Sequence, residues 1–172
     1  MAKILGIIGG GQLGMMLTEA AKSMPLDISK IIVLDPTENC PAVKVGAEQI
    51  VADFKDKSSI KELAERSDII TYEIESGDSA VLKSLESTCE INPSPETLRV
   101  IQDKLTQKKF LNDNNIPVAK FSEIPSRIEL EAKINEFGFP VLLKTRRDAY
   151  DGRGNFKINS KEQISIALKA FE

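Results

Sequence analysis

The sequence predicts a doubly wound parallel α/β domain followed by a small α+β subdomain, and three observations carry that expectation. The first is a short apolar run broken by glycines, Ile4 to Gly14, which reads as a buried strand turning directly into a helix. The second is the alternation of brief Ile/Val/Leu runs with segments of helical periodicity along the whole chain. The third is Asn92-Pro93-Ser94-Pro95, where closely spaced prolines interrupt any regular element and mark a boundary. The expected division is 1–93 for the parallel-sheet domain, 94–115 for a linking basic helix and 116–172 for the small subdomain.

The opening strand, Ile4-Leu5-Gly6-Ile7-Ile8, is too brief for a helix, while Leu13, Met16, Leu17, Ala20 and Ala21 recur at helical spacing behind it. Between them Gly9, Gly11 and Gly14 fit G-x-G-x-x-G. The first glycine suits a tight turn, the second exposes bare backbone to a ligand, and the third lets the helix approach the strand. Free N–H groups and the positive end of a helix dipole then face one spot, which favours an anionic group. The pattern points to a phosphate or nucleotide and leaves the chemistry open.

Pro25 to Ser29 form a loop, and Lys30 to Leu34 read as a second buried strand that closes on Asp35-Pro36. Asp35 lies 21 positions beyond Gly14, where a dinucleotide-binding fold keeps an acidic residue for a ribose hydroxyl. A third strand is expected at Gln49 to Val51, then a helix with Ile60, Leu63 and Ala64 on its inner face. Asp68 to Glu75 reads as a fourth strand, apolar first and acidic at its end. On such a strand Glu73 and Glu75 point the same way, into the crevice that the glycine turn faces. Ser79 to Glu86 is expected to be helical and Cys89 to Ile91 to form a last short strand.

Beyond the prolines, Glu96 to Asn114 reads as one helix carrying Arg99, Lys104, Lys108 and Lys109. A strand is expected near Val118 to Phe121, a helix over Arg127 to Phe137 and a strand over Pro140 to Lys144. A charged glycine-bearing loop follows, Thr145 to Gly154, then a returning strand at Asn155 to Ile158 and a helix over Lys161 to Phe171. Lys144 ends an otherwise apolar strand, so its charge calls for a partner, and a nucleotide phosphate is one. Arg146, Arg147 and Arg153 among flexible glycines have the composition of a lid over phosphates. The last helix has no terminal cap, so further chain is expected after it.

Composition narrows the function. Of 172 residues, 41% are hydrophobic and 28% charged, which is globular, and the formal net charge of −3 argues against a general nucleic-acid binder. The sequence carries neither a secretory signal pattern nor an apolar run long enough to cross a bilayer, so the expected location is the cytoplasm, without a membrane partner. Cys40 and Cys89 are far apart and lack metal-ligand spacing. With no histidine, Ser-His-Asp triads, imidazole acid–base chemistry and the common zinc sites drop out together.

Taken as a set, Gly9-Gly10-Gly11-Gln12-Leu13-Gly14, Asp35-Pro36, Thr71-Tyr72-Glu73-Ile74-Glu75, Gln102-Asp103-Lys104, Lys108-Lys109-Phe110-Leu111, Ile116-Pro117, Phe139 to Thr145 and Tyr150-Asp151-Gly152-Arg153-Gly154 carry a family resemblance. The chain resembles the amino-terminal half of the 5-(carboxyamino)imidazole ribonucleotide synthetases, ATP-grasp ligases of purine biosynthesis. These are also called the ATPase subunit of phosphoribosylaminoimidazole carboxylase. The resemblance implies a pre-ATP-grasp domain, a small ATP-grasp subdomain and the absence of the large carboxyl-terminal one.

It also implies roles, position by position. Gly11, Gln12 and Leu13 would border the aminoimidazole ribonucleotide, and Glu73 would help to hold it. Lys104 and Lys144 would reach ATP phosphates, with Gly152 and Gly154 in the loop that closes over them. Tyr150, Asp151 and Arg153 would stand near bicarbonate and the reacting amine. ATP and Mg²⁺ are the implied cofactors, with the metal ligands outside this chain, and a homodimer is an open expectation of the same kind. Ala149 stands where the family usually has glycine, Ser76-Gly77 replaces Asn-Val, and Met15 sits where arginine is common. With the metal ligands elsewhere, little or no synthetase activity is expected of this polypeptide alone. Two other readings stay open on the residues: an NAD(P)-binding dehydrogenase module resting on Gly9, Gly11, Gly14 and Asp35, and a non-catalytic nucleotide-binding module.

Overall fold

The computed structural model describes residues 2–25, 27–148 and 154–171. The chain divides into two compact units, Met1–Arg99 and Val100–Glu172.

In the first unit, β1 (Lys3–Ile8), β2 (Ile28–Asp35), β3 (Glu48–Val51), β4 (Ile69–Tyr72) and β5 (Glu90–Ile91) form a sheet of order β3-β2-β1-β4-β5. Every pair in it is parallel. A parallel sheet of this kind is covered on both faces, which is why β1 and β2 read as unbroken apolar runs: Ile7, Ile8, Val33 and Leu34 are all fully buried. One face packs Ile7, Ile31 and Val33 against Ala21, Cys40, Ala42 and Ala47. The chain winds outward from β1 to β3 and then returns to β4 on the other side of β1. The switch in winding direction therefore falls between the carboxyl ends of β1 and β4, where open α/β sheets bind ligands.

The first helix, α1 (Gln12–Ser23), forms where its spacing predicts, but its buried line is Gly14, Thr18 and Ala21. Leu13, Met16 and Leu17 are 55%, 53% and 38% exposed. The cause is close approach: a Cβ on Gly14 would collide with the Gly9 carbonyl oxygen, so only small residues fit the face that meets the turn. A short helix that periodicity did not reveal, α2 (Pro41–Lys44), follows β2, with proline in its first turn, where no N–H is needed. The next two helices, α3 (Lys57–Glu65) and α4 (Ser79–Ser84), bury Ile60, Leu63 and Ala64, and Val81 and Leu82. Each starts on an aspartate, Asp56 or Asp78, whose carboxylate accepts first-turn N–H groups.

Two expectations beyond the prolines fail. The single helix expected over Glu96 to Asn114 is two, α5 (Pro95–Ile101) and α6 (Lys104–Asp113). Asp103 separates them: its side chain accepts from the N–H groups of Leu105 and Thr106 and starts a new helix instead of continuing the old one. The strand expected near Val118 to Phe121 does not form; this segment is irregular, and Phe121 places its ring 5.7 Å from Lys108 Nζ on α6. Side-chain packing on the helix takes the place of a ladder.

The rest of the second unit is a two-stranded antiparallel hairpin, β6 (Val141–Lys144) with β7 (Asn155–Ile158), backed by α7 (Arg127–Phe137) and α8 (Ile164–Lys169). A lone hairpin is marginal in water, and here Leu130, Ile134, Ile158, Ile164 and Ala167 supply the core that stabilises it. The helix expected from Lys161 begins as a single 3-10 turn, Lys161–Gln163, before α8. Ser126 starts α7, accepting from the Glu129 N–H at 3.3 Å while its hydroxyl donates to the Glu129 carboxylate at 2.7 Å. Leu142, on the open face of the hairpin, is 53% exposed.

Candidate functional site

In the first unit the candidate site lies at the switch point between β1 and β4. Gly9 adopts φ +104°, a conformation that favours glycine, as it leaves β1. The Gly10 N–H donates to Asp35 Oδ2 at 2.8 Å, and Asp35 Oδ1 accepts the Thr37 N–H at 2.8 Å. Asp35 is 5% exposed, so it holds the turn and is not offered to a ribose hydroxyl, contrary to its expected role. β2 lies beside β1, and the carboxylate at its end reaches the Gly10 and Thr37 N–H groups.

Glu73 completes the candidate site of the first unit. Because β4 ends at Tyr72, Glu73 and Glu75 lie in a bend and a turn, and the expected strand alternation does not orient them. The Glu73 N–H instead donates to the Ile8 carbonyl at 3.1 Å, bringing its side chain over the glycines. A Cβ on Gly11 would lie 3.7 Å from Glu73 Oε1, and a Cβ on Gly9 would overlap the Glu73 side chain. Burial, then the charges of Asp35 and Glu75, push the Glu73 carboxyl above its ordinary range. Gln12 and Leu13 are exposed on the first turn of α1, beside Gly11. Gly11, Gln12, Leu13 and Glu73 thus fall in one neighbourhood. Its character is acidic, with one of the turn's N–H groups already taken by a carboxylate, so it suits hydroxyl or amine donors better than the phosphate the glycine pattern suggests.

The second unit gathers the cations. Lys144 ends β6 opposite Asn155 and is exposed, so its charge is solvated and not buried as the apolar run implies. Lys104 opens α6 and its N–H donates to the Arg146 carbonyl at 2.9 Å. Gly154, at φ +64°, accepts the Thr145 N–H at 2.9 Å through its carbonyl. Arg146, read from sequence as part of a phosphate lid, donates to Asp103 through Nε at 3.2 Å and Nη2 at 2.7 Å, and to Glu123 through Nη1 at 2.6 Å. Arg147 lies 3.3 Å from the same Asp103 carboxylate. Burial would raise the Asp103 carboxyl, but the Arg146 fork and the Thr106 and Leu105 N–H groups outweigh it and hold it at about 2.

Sequence reasoning named Asp103 only within the Gln102-Asp103-Lys104 motif and gave it no role. Its signal was present, an aspartate followed by a fresh run of helix formers. Tyr150, Asp151, Gly152 and Arg153 lie outside the described residues. Among the described residues no three Asp, Glu or Cys side chains converge on a point where a metal ion would sit. No described helix is long and apolar enough to cross a membrane.

The model of the ribonucleotide synthetase pre-ATP-grasp domain matches residues 1–102, and that of the ATP-grasp domain matches 109–172. An N5-carboxyaminoimidazole ribonucleotide synthase of Staphylococcus epidermidis is 36% identical over 168 residues, 98% of this chain and 44% of that protein. The structure of a carboxyaminoimidazole ribonucleotide synthase from Aspergillus clavatus with ATP superposes with a TM-score of 0.90 at 36% identity, over 99% of this chain and 45% of that one. A second, of the N5-carboxyaminoimidazole synthase of the same organism with ADP and 5-aminoimidazole ribonucleotide, gives 0.87 at 34% identity, over 99% and 44%. The chain spans less than half the length of these relatives. With its parallel sheet, its glycine turn at the switch point and a family model covering residues 1–102, the chain belongs to the ribonucleotide synthetase pre-ATP-grasp family, with an ATP-grasp segment behind that domain.

Proposed function

We propose that this chain supplies part of the substrate-binding machinery of an ATP-dependent carboxylating ligase that converts 5-aminoimidazole ribonucleotide, bicarbonate and ATP to 5-(carboxyamino)imidazole ribonucleotide. The observation that carries the reading is the chain-long superposition on a relative solved with ADP and 5-aminoimidazole ribonucleotide together. Glu73 over the glycine turn offers an acceptor for hydroxyl or amine groups of the ribonucleotide, beside Gly11, Gln12 and Leu13. Lys104 and Lys144 offer point charges for the ATP phosphates, with Gly152 and Gly154 in the covering loop. Tyr150, Asp151 and Arg153 are assigned to bicarbonate and the reacting amine.

In this reaction a bicarbonate oxygen attacks the γ-phosphorus of ATP and ADP leaves, forming carboxyphosphate. The exocyclic amine then attacks the carboxyl carbon, phosphate departs and the nitrogen loses a proton. Such steps depend on positioning and on positive charge near the transferred phosphoryl group more than on a histidine base. No step here is assigned to Mg²⁺, whose ligands the resemblance places outside this chain. The same proposal includes the functional division 1–93, 94–115 and 116–172, a homodimer and a cytoplasmic location.

A carboxylation assay with ATP, bicarbonate and the ribonucleotide tests the reading. Residues 1–172 alone are expected to turn over little or not at all, because most of the relatives' length has no counterpart here. Turnover comparable to that of a full-length relative would refute that expectation. The dinucleotide reading fares worse on this geometry, since Asp35 has both oxygens engaged by backbone N–H groups. An NADH titration followed by fluorescence is expected to show no saturable binding.

A further inference from the structure

Asp103 does more than start a helix. Its Oδ1 accepts the Leu105 N–H at 3.0 Å, the Thr106 N–H at 3.1 Å and Arg146 Nε at 3.2 Å, while Oδ2 takes Arg146 Nη2 at 2.7 Å. The side chain is 2% exposed although the Arg146 side chain is half exposed. Arg146 is held from its far side by Glu123, and its backbone carbonyl accepts the Lys104 N–H. One carboxylate therefore joins the first turn of α6 to the segment that follows β6. Lys104 is the residue after Asp103, and Lys144 lies two before Arg146.

We propose that Asp103 is a positioning residue: through Arg146 it clasps α6 to the end of β6 and so holds Lys104 and Lys144 in fixed register for the phosphates of one nucleotide. The inference rests on the ATP reading given above and adds a residue to it. Helix capping alone does not require this arrangement, because asparagine caps nearly as well as aspartate. Stability alone does not require it either, since apolar side chains often replace a buried ion pair without loss. What the forked, two-bond pairing adds is geometry: a guanidinium held by two oxygens of one carboxylate has a set orientation, which a lysine does not reproduce.

The test uses residues 1–172 with Asp103→Asn and Arg146→Lys, and with Arg127→Gln as a control that breaks an exposed ion pair on α7. Amide hydrogen exchange by NMR and titration with ATP are read on each. In both variants the Lys104 amide, which bonds to the Arg146 carbonyl, is expected to exchange about tenfold faster, with ATP affinity down about tenfold. The Leu105 and Thr106 amides, still capped in D103N, are expected to change much less. Charge alone predicts the opposite for D103N, since removing a negative group from a polyphosphate site tightens an anion. Unchanged or tighter ATP binding by D103N and R146K overturns the proposal while leaving the nucleotide reading intact. No ATP binding by the unsubstituted chain, while R127Q and the parent show the same protected Lys104 amide, overturns the nucleotide reading and the positioning role with it. Should D103N not fold, R146K decides alone, because Arg146 is half exposed and its replacement keeps the charge.

Discussion

The Gly9 to Gly14 turn is built by contacts that a single side chain would destroy. A methyl group on Gly14 meets the Gly9 carbonyl, which is backbone and cannot swing away. Gly14→Ala is therefore expected to destabilise the chain by about 1 to 3 kcal/mol, the usual cost of overpacking, seen as a lower midpoint in urea denaturation. Asp103 gives a pH signature with a definite sign. Its carboxyl is held at about 2 against an ordinary 3.8, so its contribution is fully present above pH 4 and is lost as pH falls toward 2. The half-exposed guanidinium trims the full linkage value, leaving about 1 to 2 kcal/mol. Stability curves from pH 6 to 2 are expected to fall less steeply for D103N than for the parent chain. Asp35 and Glu73 were both visible in the sequence as acids at strand ends, but their partners were not. Which donor a carboxylate meets depends on how two segments 25 residues apart lie side by side.

Among the elements, α1 shows how periodicity locates a helix without giving its inner face. Leu13, Met16 and Leu17 mark the helix correctly, yet the sheet-facing line is Gly14, Thr18 and Ala21, since the turn brings the helix too close for large side chains. The two faces give opposite expectations. Met16→Ser is expected to change stability by under about 0.5 kcal/mol, whereas Ala21→Leu, into a packed face, is expected to cost about 1 to 3 kcal/mol, both read by chemical denaturation. The split of α5 from α6 has the same lesson in another form. Helix-forming residues run on through Gln102, but the Asp103 side chain outcompetes the helical continuation by satisfying the next helix's N–H groups and Arg146 together. Segment 118–121 has strand-like composition and no ladder, and its Phe121 ring lies near Lys108 instead.

At the scale of the whole molecule, the five-stranded parallel sheet and the α-backed hairpin were legible because each rests on local patterning: apolar runs of strand length, capping residues and proline or glycine punctuation. The absence of histidine and the sign of the net charge likewise bounded the chemistry before any fold was known. Sequence alone thus determined the fold class, the order of most elements and the residues worth watching, since those properties follow from short-range sterics and from which side chains avoid water. Tertiary structure alone decided that Asp35 braces the turn, that Glu73 makes the turn acidic and that Asp103 gathers both arginines. Those outcomes depend on distances of about 3 Å between residues far apart in the chain, and such distances exist only once the strands have paired and the helices have packed.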